Sequence, residues 1–258
     1  MSTSNLGTLT STPRSYNDLT VTTSDPTDVY KFNITSTSSI NLSLNEISWN
    51  DDADLYLYRD SNGNGSFDDG IDQEVTRSWR SNFSNGAPYD DMINTRANAG
   101  TYFAVVRHYA SDSPDGATYD LDLSATPTQP SLSSPPPNLL PYEVFVGHAG
   151  NLQDSDQTFN GSVGDSNTAD LYYFTLGPGD HLNGIRLSGL SADADIRLIR
   201  DSNNNRIVDA DEVIGSSTNG GNTEEWISGT QLQIGPTYLL QVYQYSSNTN
   251  YQLTFDVA

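Results

Sequence analysis

The feature that most constrains the fold is an internal duplication. Asp28-Val29-Tyr30-Lys31-Phe32 is answered by Asp170-Leu171-Tyr172-Tyr173-Phe174, and Asp52-Ala53-Asp54-Leu55-Tyr56-Leu57 by Asp193-Ala194-Asp195-Ile196-Arg197-Leu198. Arg59-Asp60-Ser61-Asn62 returns as Arg200-Asp201-Ser202-Asn203, Asp91-Met92-Ile93 as Glu225-Trp226-Ile227, and Thr101-Tyr102 as Thr237-Tyr238. Near each end, Tyr119-Asp120-Leu121-Asp122-Leu123 matches Tyr251-Gln252-Leu253-Thr254-Phe255. At each start, Gly7, Leu9 and Tyr16 align with Gly150, Leu152 and Phe159. A repeat this long is a self-sufficient domain and not a turn of a solenoid. The expected division is therefore a first module over 1–125, a linker over 126–141 and a second module over 142–258. The linker carries Pro127, Pro130, Pro135, Pro136, Pro137 and Pro141. It reads as an extended polyproline II spacer, because proline lacks the N–H that a packed strand would donate.

Within each copy the apolar residues alternate with a period of two. Ile40, Leu42 and Leu44 share one face, Leu55 and Leu57 another, and Tyr119, Leu121 and Leu123 a third. Tyr102, Ala104 and Val106 alternate likewise, as do their counterparts Tyr238, Leu240 and Val242. No long segment shows a helical stripe. Short strands parted by Gly, Asn, Asp and Ser turns predict an all-β fold of two tandem jelly-roll-like β-sandwich domains. Hydrophobic residues are only 34% of the chain, so each core must be thin.

The formal net charge of −22 disfavours nucleic acid and anionic membranes as partners and suits the collection of divalent cations. No cysteine is present, which excludes disulfides and thiolate metal sites. A secreted chain of this size then needs another staple, and calcium is the common one. Met1 to Thr12 is polar, with no apolar run of the signal-peptide kind, and no stretch reaches membrane-spanning length, so membrane insertion is not expected. Lys31 is the only lysine.

One loop in each copy has calcium-type chemistry. In the second, Asp201, Asn203 and Asn205 fall at positions 1, 3 and 5 of a twelve-residue loop. Ile207 offers a carbonyl at 7, Asp209 stands at 9 and Glu212 at 12. Arg206 replaces the usual glycine. In the first, Asp60, Asn62, Asn64, Ser66 and Asp68 follow the same spacing, and Gly65 supplies the glycine. Its twelfth residue is Ile71, which cannot ligate through its side chain, so Asp72 or Glu74 must substitute in a longer loop. Loss of that carboxylate would make the first site the weaker. The competing reading is a plain polar turn, which the same residues favour.

The Asp52/Asp54 and Asp193/Asp195 pairs read chiefly as carboxylates capping the turn into a strand. A second cation site or an acid/base pair is the other reading, and a two-carboxylate hydrolase would need the latter. His108, His148 and His181 have no metal-ligand spacing, and Asp180-His181 has no nucleophile elbow with it. An enzyme is not expected. Trp49, Trp79 and Trp226 read first as core or edge packing, and alternatively as an aromatic platform for polysaccharide or a protein polymer.

These residues together bring a family into view. The Asp-x-Tyr-x-Phe openings, the Asp-Ala-Asp strand entries, the acidic-x-Ile steps Asp91/Ile93 and Glu225/Ile227, the Thr-Tyr strands and the closing Tyr-x-Leu strands resemble the bacterial pre-peptidase C-terminal domain, in both copies. The resemblance implies a non-catalytic, jelly-roll-like module found beside secreted proteases and collagenases. Some relatives bind calcium and some bind collagen or other polymers. The Asx-rich loop looks like an insertion of cyanobacterial-type members. The resulting expectation is a secreted or cell-surface calcium-binding tandem module with an accessory or structural role.

Overall fold

The computed structural model describes residues 3–81, 83, 84, 87–110, 116–128, 135–147, 152 and 155–257. The chain divides into two compact units, Met1–Thr128 and Gln129–Ala258, and every regular element among the described residues is a strand.

The first unit contains β1 (Thr3–Thr8), β2 (Arg14–Val21), β3 (Thr27–Ile34), β4 (Ser38–Asn45), β5 (Asp52–Arg59), β6 (Gln73–Ser78), the short β7 (Phe83–Ser84) and β8 (Ala87–Pro88), then β9 (Asp91–Ala97), β10 (Gly100–Ala110) and β11 (Ala117–Pro127). Its sheets run β1-β3-β10-β5-β6 and β2-β11-β4-β9. Only β1 on β3 is parallel in these two sheets. From β2 to β5 each strand crosses to the opposite sheet, so the alternating apolar faces meet in the middle. Ile40, Leu42 and Leu44 there face Leu55, Leu57, Ala104 and Val106, all fully buried. Burying one such aliphatic side chain contributes roughly 1.5–3 kcal/mol.

The second unit contains β12 (Val144–Gly147), β13 (Gln157–Val163), β14 (Ala169–Thr175), β15 (Leu182–Ser188), β16 (Asp193–Ile199), β17 (Val213–Ser217), β18 (Glu225–Ser228), β19 (Thr237–Ser246) and β20 (Thr249–Val257). Its sheets run β12-β14-β19-β16-β17 and β13-β20-β15-β18. Strand for strand this is the order of the first unit. The core again lies between the sheets, with Phe174, Ile185, Leu187, Ile196, Leu240, Leu253 and Phe255 fully buried or nearly so.

The opening and closing motifs prove to be one device. The Tyr119 hydroxyl donates to Asp28 Oδ2 at 2.6 Å and lies 2.8 Å from the Tyr30 hydroxyl. In the second unit Tyr251 donates to Asp170, and its hydroxyl lies 2.8 Å from that of Tyr172. A hydroxyl in an apolar core must find a partner, and here each finds one across the two sheets. Burial pushes the phenol of Tyr30 up to about 12 and drives those of Tyr119 and Tyr251 higher still, so all three stay protonated donors.

Two boundary readings need correction. The start of the expected linker belongs to the first unit: β11 runs through Pro127, and the Thr128 N–H donates to Thr37 O at 3.0 Å. Its end is no free spacer either. Leu139 bridges Ile207, the Leu140 N–H donates to Arg206 O at 2.8 Å, and the Val208 N–H donates to Asn138 O at 3.0 Å. Arg197 and Gln241 both donate to Pro137 O. Proline lacks a donor but keeps its acceptor, and two side chains of the sheet supply the donors. Leu139 and Leu140 are buried, and Tyr142 stacks on Tyr173 at 4.4 Å between ring centroids. Residues 137–142 are thus a strap across the outer face of the second unit's five-stranded sheet. The aligned Gly150 lies outside the described residues, and Gly147 takes the register of Gly7, each opposite the Phe of its Asp-x-Tyr-x-Phe motif.

Candidate functional site

The two Asx loops leave the end of β5 and the end of β16. In the first, Asp60 accepts the Gly63 N–H on Oδ1 at 2.7 Å and the Gly65 N–H on Oδ2 at 2.9 Å. Asn62 Oδ1 accepts from the Asn64 N–H, Asn64 Oδ1 from the Ser66 N–H, and both amides donate to Asp68 Oδ2, at 2.9 and 2.6 Å. Those two donors hold the Asp68 carboxyl below its ordinary range. Asp72 closes the loop, accepting the Ser61 and Asp68 N–H groups at 3.0 and 2.9 Å.

The second loop repeats this scheme except at the first Asp's Oδ1, which accepts from the Asn205 N–H where Asp60 Oδ1 accepts from the Gly63 N–H. Asp201 accepts from the Asn205 and Arg206 N–H groups, and Asn205 Oδ1 from the Ile207 N–H. Asn203 and Asn205 donate to Asp209 Oδ2 at 2.8 and 3.0 Å. Glu212 closes it, accepting the Ser202 N–H at 2.7 Å and the Asp209 N–H at 3.1 Å. Asp72 therefore occupies the role of Glu212, one residue later and one methylene shorter. Of the two carboxylates expected to substitute for the twelfth residue, Asp72 takes the closing place, which removes the argument for a weaker first site. Ile71 points outward, 64% exposed, and Glu74 instead pairs with Arg77 at 3.5 Å.

Backbone handedness explains the glycine exchange. Gly63 and Gly65 have φ near +72° and +73°, and the equivalent Asn204 and Arg206 have +55° and +60°. Asparagine tolerates this region, but arginine costs about 1–2 kcal/mol there. The strap supplies a compensation, because the Arg206 guanidinium lies 3.4 Å from the Tyr142 ring centroid and donates to Leu140 O at 3.3 Å. In the first loop the carbonyl of residue 65, equivalent to that of Arg206, accepts Lys31 Nζ at 2.6 Å. The chain's only lysine does there what the Leu140 N–H does in the second unit. Phe67 roofs the same outer sheet face, packing on Tyr58 and Phe103.

The donor set in each loop is mixed: carboxylate, amide and backbone oxygens in a tight turn, which is the chemistry a hard cation of calcium type accepts. Among the described residues no three Asp, Glu, His or Cys side chains converge closely enough to hold a metal by themselves.

A second cluster joins the strand-entry acids to the mid-domain acid. Asp91, fully buried, accepts the Ser78 hydroxyl and the Arg80 N–H on Oδ1, and its Oδ2 has no hydrogen-bond partner. Burial pushes its carboxyl up to about 7, the donors oppose this, and the charges of Asp54 and Asp52 add to it. In the second unit Asp193 accepts the Gly221 N–H at 2.9 Å, a bond to the loop between β17 and β18 and not to the turn that enters β16. Glu225 accepts from Ser217 and the Asn219 N–H. Burial, then Asp193 and Glu225, push the Asp195 carboxyl up to about 7. The spacing of Asp91 and Glu225 from the strand-entry pairs gave no sign of this meeting; only the sheet order brings them together.

The remaining candidates separate. His108 pairs with Ala53 as Gln244 pairs with Ala194, His181 is exposed, and His148 lies outside the described residues. None of the three tryptophans sits in a core: Trp49 is 68%, Trp79 62% and Trp226 45% exposed. Trp79 stacks under Arg77 at 3.8 Å, and Trp226 lies over Gly184, where a Cβ would come within 2.2 Å of the ring. Among the described residues no helix is long and apolar enough to cross a membrane.

Fold and loops define a chain of two β-sandwich units, each with one Asx loop on the outer edge of its five-stranded sheet. Residues 26–108 match the family model of the bacterial pre-peptidase C-terminal domain. That match spans β3 to most of β10. Among solved structures, the chain is similar to the pre-peptidase C-terminal domain of a collagenase from Bacillus anthracis. The identity is 22%, over 48% of this chain and 94% of that one, with a TM-score of 0.32. It is also similar to the CUB1-EGF-CUB2 domains of rat MASP-1, at 11% identity over 98% and 99% of the two chains, with a TM-score of 0.29. Among curated proteins none matches.

Proposed function

We propose that the chain is a non-catalytic, secreted or cell-surface pair of pre-peptidase C-terminal-type modules, structural or accessory in role, in which each Asx loop takes up one calcium ion. The observation that carries this reading is the shared bond scheme of the two loops. Two stretches of different sequence keep the first Asp, both amides, the ninth-position Asp and a buried closing carboxylate. A plain turn needs no such set. The family match over 26–108 and the identical strand order of the second unit support the modular reading.

Asp60, Asn62, Asn64, Asp68 and Asp72 would hold the ion in the first loop, with the Ser66 carbonyl. Asp201, Asn203, Asn205, Asp209 and Glu212 would hold it in the second, with the Ile207 carbonyl. Calcium would supply a charge that satisfies these oxygens only in the folded state. Linkage then adds about 2.7 kcal/mol to stability at a hundredfold excess over Kd.

The test is thermal unfolding of EDTA-stripped protein with and without about 5 mM calcium. A rise in Tm is expected, with one share of it lost in Asp72→Ala and the other in Glu212→Ala. An unchanged Tm in the unmodified chain would refute the proposal.

A further inference from the structure

The second unit carries a cavity of about 550 Å³ at the open edge of its sandwich, between β17 and β18. Both are edge strands, each hydrogen-bonded on one side only. The floor is apolar, formed by the buried Leu198 and Ile227 together with Leu232. Arg200, Gln231, Gln233, Ser216 and Ser228 supply the polar lining, and the exposed Ile214 and Trp226 add apolar surface.

The charge of this lining is out of keeping with the chain. Asp and Glu number 33 against 11 Lys and Arg, yet no lining residue is acidic and one is arginine. Arg200 donates to Gln233 Oε1 at 3.3 Å and makes no ion pair among the described residues. An unpaired guanidinium at the mouth of a carboxylate-free cavity selects an anion, and it grips a carboxylate through paired N–H donors. Amides and hydroxyls above an apolar floor suit a pyranose ring, whose hydroxyls need partners and whose C–H face needs cover.

We infer that this cavity binds a hexuronate unit of an acidic oligosaccharide, with Arg200 on the carboxylate, Gln231 and Gln233 on the hydroxyls and Leu232 under the ring. The chain's net negative charge does not forbid this, since charges beyond about 8 Å are largely screened at physiological ionic strength. Arg200 precedes Asp201 and its N–H donates to Glu212 O at 2.9 Å, so the rim adjoins the second Asx loop, and the titration in calcium-free buffer tests the cavity without relying on calcium there.

The experiment is calorimetric titration of the full chain, in calcium-free buffer, with a hexuronate oligosaccharide and with a neutral oligosaccharide of the same length. Submillimolar binding of the hexuronate is expected, with the neutral sugar at least tenfold weaker. Arg200→Gln should weaken the hexuronate at least tenfold and leave Tm unchanged. Should that variant fail to fold, Gln233→Ala and Gln231→Ala read the same rim. No heat with the hexuronate at about 10 mM, equal binding of the neutral sugar, or equal binding by a folded Arg200→Gln protein would each overturn the assignment.

Discussion

Asp91→Asn should remove a pH dependence built into the first unit. In the unfolded chain Asp91 titrates near 3.8, and in the fold near 7, because it is fully buried beside Asp52 and Asp54. Between those values the folded state holds a proton that the unfolded state has released. Stability therefore falls as pH rises through this window. Below it the carboxyl is neutral in both states and costs nothing; above it the whole penalty is present. At about 1.4 kcal/mol per pH unit the gap sets a ceiling on the order of 4 kcal/mol. Asparagine keeps the Oδ1 that accepts the Ser78 hydroxyl and the Arg80 N–H, and it carries no charge at any pH. Urea unfolding followed by circular dichroism at pH 5 and pH 8, in EDTA, gives the comparison. The unmodified first unit should lose stability between the two, and Asp91→Asn should lose far less and be the more stable protein at pH 8. The second unit, governed by Asp195, should keep its own decline and serves as an internal reference. Equal declines in the first unit of both proteins would refute the reasoning.

Tyr119→Phe deprives Asp28 and Tyr30 of a shared partner inside the sandwich, and should cost ~1–3 kcal/mol in chemical denaturation. Gly65→Ala places a Cβ at φ +73° and 2.7 Å from Lys31 Nζ, and should cost about 1–2 kcal/mol in the same assay. Arg206→Gly relieves the backbone but removes the stack on Tyr142. Limited proteolysis should then cut residues 137–142 faster, with little change in Tm.

The fold was legible because alternation and turn chemistry act locally. Leu42 and Leu44, or Tyr119 and Leu121, show their buried face in any window of five residues. The loops were legible as oxygen-rich spacings, but the choice between Asp72 and Glu74 was not, since a one-residue extension leaves the pattern and changes only where the chain turns. The strap was misread for a related reason. Proline content reports missing donors, whereas Pro137 is held through its acceptor by Arg197 and Gln241. Nothing local could bring Asp91 to Asp54 or Glu225 to Asp195, because those meetings depend on the order of strands in two sheets. The hydroxyl networks at Tyr119 and Tyr251 were visible only as motifs, without a reason.

The strap also fixes a sequence of events during synthesis. Pro137 leaves the ribosome 104 residues ahead of Gln241, its partner on the penultimate strand. Leu139 and Leu140 meet Ile207 and Arg206 only after a further 66 to 68 residues, and the strap is complete only when Gln241 has been made, after the whole of the first unit. The nascent chain passes through a stage in which one finished sandwich trails an apolar, proline-stiffened segment with no sheet to lie on. Whatever guards nascent chains against association has its target at that stage.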